Sequence, residues 1–326
     1  VSDVIDYGRF ADRLLAVRPR WDLYREFHEE WGYEVPEGEP SWPRWSEDEH
    51  KAYVQRLKGE SATGEDDPFK DVDLALPIPK ALDEWWDLPF NSFTHTPRLY
   101  WTNPVYPPTV RPDPSGYGIS EGLPEGSPFI QGDDVRVCIF KAENQYCNEW
   151  GYLAAEAGQE DPRVLVDVDD EGGWALQARS ISEFFLLLAV QRLPTSLGWV
   201  LEFGYDDLEG GTPIGERLDR TYREMGLLPW RELGADTHAY GGPDVIILHD
   251  REGTGDHPLV IAGRTRAASA QAADLLGLEW SDDLPEPPLD PFLSPPVPPR
   301  RIVGIRLGRR PSVQVRRRGT ASSGCH

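Results

Sequence analysis

The clearest periodic signal lies between residues 135 and 192. Val135, Val137 and Ile139 alternate with Arg136, Cys138 and Phe140, the period of a strand with two different faces. NEWGYLAA (148–155), VLVDV (164–168) and WALQA (174–178) continue as strands, and DDEGG (169–173) supplies the turn between the last two. Ser180 and Glu183 form an S-x-x-E capping signal before 181–192, which is apolar nearly all round. A helix without a polar face needs cover on every side, so 181–192 is expected between two layers.

Upstream, the period changes to that of helices. Trp21, Tyr24, His28 and Trp31 fall on one helical face, and Ser46 with Glu49 caps a second candidate running to Lys58. The polar stretch KGESATGEDDPFKD reads as a linker or exposed loop. In LALPIPKALDEWWDLP (74–89), Pro79 suits a first helical turn, and Leu82, Trp85 and Trp86 give an apolar face. Residues 97–128, rich in Pro, Gly, Tyr and Trp, read as a long ordered loop.

Downstream, Thr212 is expected to cap a helix lined by Ile214, Leu218 and Tyr222 and ending near Gly226. DVIILHD and PLVIAG read as strands joined by REGTGDH, and Thr265 caps a small-residue helix ending at 275–277. Hairpin and helix thus occur twice, read as the completion of one α+β sheet, with internal duplication as the alternative. The expected division is a helical extension over 1–70, an α+β domain over 74–280, and a Pro-rich then Arg-rich disordered tail over 281–326.

Charge changes this picture. The chain of 326 residues carries a net charge of −23, yet Ser294–His326 holds eight Arg and no acid, leaving a body near −31. Such a body repels nucleic acid and anionic lipid and favours basic partners, although acidity also serves solubility alone. The tail reads either as a segment that binds nucleic acid or the chain's own acidic body, or as the product of a frameshift or readthrough. Cys138, Cys147 and Cys325 form no CxxC pair and argue against a disulfide framework. VSDVIDYGRF has neither a basic n-region nor an apolar h-region and does not read as a signal peptide, and no apolar run approaches the ~20 residues of a membrane span, so a cytoplasmic protein is expected. The first residue is Val and the only Met is Met225, as a GTG start or a truncated piece would give.

Chemical motifs are weak. GYGISEG (116–122) imitates a phosphate loop with the wrong spacing, and DVDDEGG (167–173) half a calcium loop whose twelfth position is Ala178. His249, Asp250, Asp256 and His257 gather at one hairpin as candidate zinc ligands or an ordinary solvated turn. Glu143, Glu149, Asp161 and Glu183 are candidate acid–base carboxylates that nothing in the sequence brings together. No catalytic, cofactor-binding or metal-binding residue is therefore assigned.

The segment AENQ (142–145), Trp150 on the next strand, Asp161–Pro162, Trp174 on the following hairpin, and the L-P-x-P-x-x-L helix together resemble the SMI1/KNR4 (SUKH) superfamily. The resemblance is strong over 135–192 and weaker over the rest of 74–280. It implies an α+β fold with a mixed or antiparallel sheet flanked by helices, and a bacterial, non-catalytic protein-binding function. Many such proteins are immunity proteins that neutralise toxins. The partner it implies is a protein, such as a basic nuclease toxin domain, with no cofactor, nucleic acid or membrane required. A general regulatory module of the same fold is the alternative, and an enzyme of unrecognised class a second. The candidate partner contacts are Glu143, Asn144, Gln145, Trp150 and Trp174, although their reading as turn and core residues is the stronger one and the motif supports the fold better than it locates a site.

Overall fold

A computed structural model describes residues 4–33, 73, 75–88, 102–111, 122–143, 147–168, 173–209, 211–281, 284 and 286–287. The candidate helix at 46–58, the linker after it and the Arg-rich tail lie outside the described residues.

The fold is α+β and built on two antiparallel sheets rather than one. The first has the order β1 (Thr102–Arg111), β2 (Val137–Glu143), β3 (Glu149–Leu153), β4 (Val164–Asp167), β5 (Trp174–Ala178). The second has the order β6 (Trp199–Phe203), β10 (Leu259–Gly263), β9 (Val245–Asp250), β8 (Thr237–Gly242), β7 (Arg223–Glu224). The repeated hairpin-and-helix order thus builds a second sheet instead of extending the first. A second sheet gives the apolar helix the other wall it needs.

That helix, α4 (Ile181–Leu197), packs against β5 on one side and β6 and β10 on the other. Phe184, Phe185, Leu187, Leu188, Ala189 and Val190 are all buried, which accounts for a segment with no polar stripe. Its N-terminus is held twice. Ser180 Oγ accepts the Glu183 N–H at 3.1 Å, and the Asp161 carboxylate accepts the Ser182 N–H and hydroxyl at 3.1 and 2.6 Å. The D-P entry is therefore part of the capping of α4. The helix runs through Pro194, past the expected end at 192.

The N-terminal residues join the same core. A 3-10 turn (Tyr7–Arg9), α1 (Phe10–Leu15) and α2 (Asp22–Glu30) bury Tyr7, Phe10, Tyr24 and Phe27 in the cluster that contains α4. Ile5 and Asp244 exchange hydrogen bonds, each N–H donating to an oxygen of the other residue, which clips the first residues to the β8–β9 turn. The helix α3 (Lys80–Trp86) follows Pro79, and Trp85 stacks on Phe185 with ring centroids 4.0 Å apart and planes 3° from parallel.

Two further expectations are corrected. Part of the Pro-rich stretch is the edge strand β1, where residues 105–108 bulge opposite Phe140. An edge strand tolerates missing donors, which is why prolines fit there. Thr212 does not cap the next helix. Pro213 takes the N-cap position of α6 (Ile214–Thr221), which stops at Tyr222 as the chain turns into β7. Thr265 caps α7 (Arg266–Leu275) as expected, accepting the Ala268 N–H at 3.2 Å. The outer face of the second sheet packs on α6 and α7, with Leu201, Phe203, Leu218, Tyr240, Ile247, Ile261 and Ala273 in one cluster.

Candidate functional site

Of the residues singled out in the sequence, Glu143 ends β2 and Trp150 lies on β3, whereas Trp174 opens β5. Trp150 is fully buried, stacked on Trp230 at 5.1 Å and 22° and packed on Phe184 at 6.0 Å. Trp174 is buried on the opposite face of the first sheet, where its indole N–H donates to the Gly122 carbonyl at 3.1 Å. Glu143 is buried, and its carboxylate accepts the Cys147 N–H at 3.3 Å, which closes the β2–β3 turn. Asn144 and Gln145 lie outside the described residues. In this fold Glu143, Trp150 and Trp174 are interior groups, and the two tryptophans occupy opposite faces of one sheet.

A strap over residues 229–233, without a signal in the sequence, ties this end to the second sheet. Asn148 donates to the Asp167 carbonyl at 2.8 Å and accepts the Leu233 N–H at 2.6 Å. Gln177 donates to the Pro229 carbonyl and accepts the Arg231 N–H, at 2.9 and 3.0 Å. Glu232 accepts the Trp230 indole N–H at 2.9 Å and an Arg192 N–H at 2.5 Å. Lys141 is buried beneath, and desolvation holds its amine well below the usual lysine range while the Glu232 charge partly restores it. Asp167 is pushed up to about 7, chiefly by burial and further by the Glu149 charge, although it accepts the Glu149 N–H at 2.5 Å. These groups are mutually engaged across the seam, which makes the cluster a fastening between sheets.

The hairpin and carboxylate candidates are engaged locally, whereas 116–121 and 169–172 of the two loop candidates lie outside the described residues. The Asp250 carboxylate accepts the N–H groups of Asp236, Glu252 and Thr254 and the Thr254 hydroxyl, so it builds its own turn. His249 is buried, with desolvation first and the Arg251 charge next lowering its pKa. His257 lies 3.8 Å from Glu202. Among the described residues no three His, Cys, Asp or Glu side chains are disposed to hold a metal ion. Asp161 and Glu183 serve the α4 terminus, whereas Glu143 closes the β2–β3 turn and the Glu149 N–H donates to Asp167 within the first sheet.

The surface group that stands out is on the outer layer. Between Trp199 and Pro287 the chain has eighteen acidic and seven basic residues, and from 199 to 216 it has no Lys or Arg. Gly204 leaves β6 and opens the short helix α5 (Tyr205–Leu208), its N–H donating to the Asp207 carboxylate at 2.8 Å. Tyr205 is 46% exposed. Its ring lies on the β9–β10 turn, where a methyl group on Gly253 (φ +67°) would come within 2.7 Å of the phenol oxygen. Glu202, Asp206 and Glu209 are exposed beside Tyr205 in the chain, and the turn beneath its ring presents Glu252 and Asp256. Arg251, the cation of that turn, is engaged by Glu224 at 2.8 Å and the Tyr240 hydroxyl at 2.5 Å. The result is an accessible phenol beside exposed carboxylates. The charge run GYDDLE (204–209) was the available sequence signal, but the approach of the 251–257 turn was not legible.

A groove of about 440 Å³ also runs between the N-terminal turn and α7, lined by Asp6, Arg9, Tyr222, Arg223, Gln271 and the Gly241–Gly242 backbone. Its charges are of both signs, and it shares no residue with the acidic patch.

No protein-family model, curated protein or solved structure matches this chain. No helix among the described residues is long and apolar enough to cross a membrane.

Proposed function

We propose that this chain is a non-catalytic binding module of the immunity type, which neutralises a basic toxin domain such as a nuclease by covering its active surface. The observation that carries the proposal is Tyr205, exposed against the Gly253 turn and beside exposed carboxylates. An aromatic side chain with two torsions contributes contact area at low entropic cost, and the surrounding acids accelerate encounter with a basic face. The resemblance of 135–192 to the SMI1/KNR4 superfamily supports the same class of function. In this reading the partner meets α5 and the β9–β10 turn, away from the interior Trp150 and Trp174.

The test is binding of the basic protein captured from the native host, or encoded beside this chain, to the wild type and to a Tyr205→Ala/Asp206→Lys/Glu209→Lys variant. Capture that is lost in the variant supports the proposal. Undiminished capture moves the contact elsewhere, and capture of no basic protein removes the toxin from the reading.

A further inference from the structure

We propose that the groove between the N-terminal turn and α7 binds a small organic anion, a carboxylate or phosphate head on an apolar body. The groove shares no residue with the Tyr205 patch, so this site and the toxin-binding proposal stand or fall separately.

The shape comes from two glycines of β8. A methyl group on Gly241 would come within 2.3 Å of the Tyr7 carbonyl, and one on Gly242 within 2.7 Å of the Tyr222 ring. Without side chains there, the N-terminal turn and the residue that ends α6 both lie directly on the β8 main chain. The helix α7 adds Ala268, Gln271, Ala272 and Leu275 to the lining. The volume of about 440 Å³ falls within the ~300–1,000 Å³ of small-molecule clefts.

Charge names the ligand's head. The chain has 56 acidic and 33 basic residues, so a cation without a carboxylate partner is unexpected. Among the described residues Arg223 is the one arginine whose side chain makes no hydrogen bond and no ion pair, and it lines the groove. Arg9, also in the lining, has a single contact with Asp12 at 3.4 Å, with the two side chains 71% and 69% exposed. An exposed pair of that kind holds weakly. Asp6 is the only carboxylate among the described lining residues, and it is turned to the Gly8 N–H, which it accepts at 2.9 Å. The groove therefore offers two guanidiniums, each able to present paired N–H groups to a carboxylate or phosphate.

The rest of the lining names the ligand's body. Val245, Ala268, Ala272 and Leu275 are apolar, and Leu275 is 58% exposed at the end of α7. The Tyr222 phenol, pushed up to about 12 by burial, stays protonated and adds a donor instead of a competing charge. The net charge of −23 opposes any anion at long range, so a bound anion reports a local site and not general attraction.

The experiment titrates the full chain with anilinonaphthalene sulfonate, a fluorescent aromatic anion, at about 50 mM salt. Saturable binding at one site is expected, with a Kd of about 10–100 µM. Arg223→Gln should weaken it about tenfold, the loss of one charge-assisted hydrogen bond. Gln271→Trp, which fills the groove from an exposed position on α7 without changing charge, should abolish it. Both side chains are exposed, so both variants should melt within a few degrees of the wild type. Arg9→Gln supplies the same test if either variant fails to fold. Phenyl phosphate and benzoate should displace the probe, and the stronger of the two identifies the head. Benzyl alcohol, the same ring without the charge, should not. The proposal is overturned by the absence of saturable binding, by equal binding to the wild type and the variants, by displacement with neither anion, or by benzyl alcohol displacing as well as the anions do.

Discussion

Trp150 and Trp230 stack at 5.1 Å across the junction of the two sheets. Trp150 comes from β3 of the first sheet, and Trp230 from the strap that leads into β8 of the second. Both are buried, and Phe184 of α4 touches each. The pair is therefore a three-way contact between two sheets and the helix they enclose. Trp230→Ala should cost about 3–5 kcal/mol, the range for removing a buried tryptophan. Urea unfolding checks this, and a loss under about 1 kcal/mol would show that the seam is held elsewhere.

A second prediction concerns pH. His28 is fully buried and its pKa is lowered to about 4 by desolvation, against a backbone hydrogen bond to Tyr24 that raises it. A folded pKa below the unfolded one means that the unfolded chain binds the proton first, so His28 removes stability as pH falls from about 6.5 to about 4. Asp167 works in the opposite direction. Its folded pKa of about 7 lies above the ordinary aspartate value, so the folded chain keeps the proton longer and stability declines as pH rises towards 7. Asp167→Asn should flatten the loss on the neutral side, and His28→Gln the loss on the acid side, in thermal melts from about pH 4 to about pH 8. Identical pH profiles for the wild type and both variants would contradict these assignments.

Close backbone packing gives a third. A methyl group at Gly241 would overlap the Tyr7 carbonyl carbon and oxygen, which are main-chain atoms and cannot move aside singly. Gly241→Ala should therefore lift the N-terminal turn from β8, with a destabilisation of about 1–3 kcal/mol. Hydrogen exchange would register it as faster exchange over the 3-10 turn Tyr7–Arg9 and its neighbours. Unchanged protection there would mean that the turn tolerates the displacement.

The acidic patch gives a fourth. Asp206 and Glu209 are exposed, whereas Asp207 holds the Gly204 N–H. Asp206→Lys and Glu209→Lys should leave the melting temperature within a few degrees and slow partner association about tenfold or more at low salt. Stopped-flow association rates check this. Rates equal to the wild type's would remove the electrostatic part of the account.

The sequence made α4 and its neighbours legible because several local signals agreed: the Ser180 cap, the apolar run, and turns with Gly and Asp. It did not reveal β1, whose prolines argue for a loop until an edge position excuses them. Nor did it reveal β8, whose THAYGG has weak strand character and is held by full-length pairing with β9. The second sheet was hidden for a related reason, since two hairpins carry no mark of whether they join one sheet or two. For the site, Glu143, Trp150 and Trp174 drew attention because core and turn residues form regular patterns. Tyr205 belongs to no pattern. Its place depends on Gly253, on a hairpin distant in sequence, and such proximity appears only in three dimensions.

The most direct measurement is capture of a basic partner from the native host at about 50 mM and about 500 mM salt, by the wild type and by the Tyr205→Ala/Asp206→Lys/Glu209→Lys variant. The account predicts one basic protein retained by the wild type at low salt, reduced at high salt and absent with the variant. Equal retention under all four conditions would contradict it.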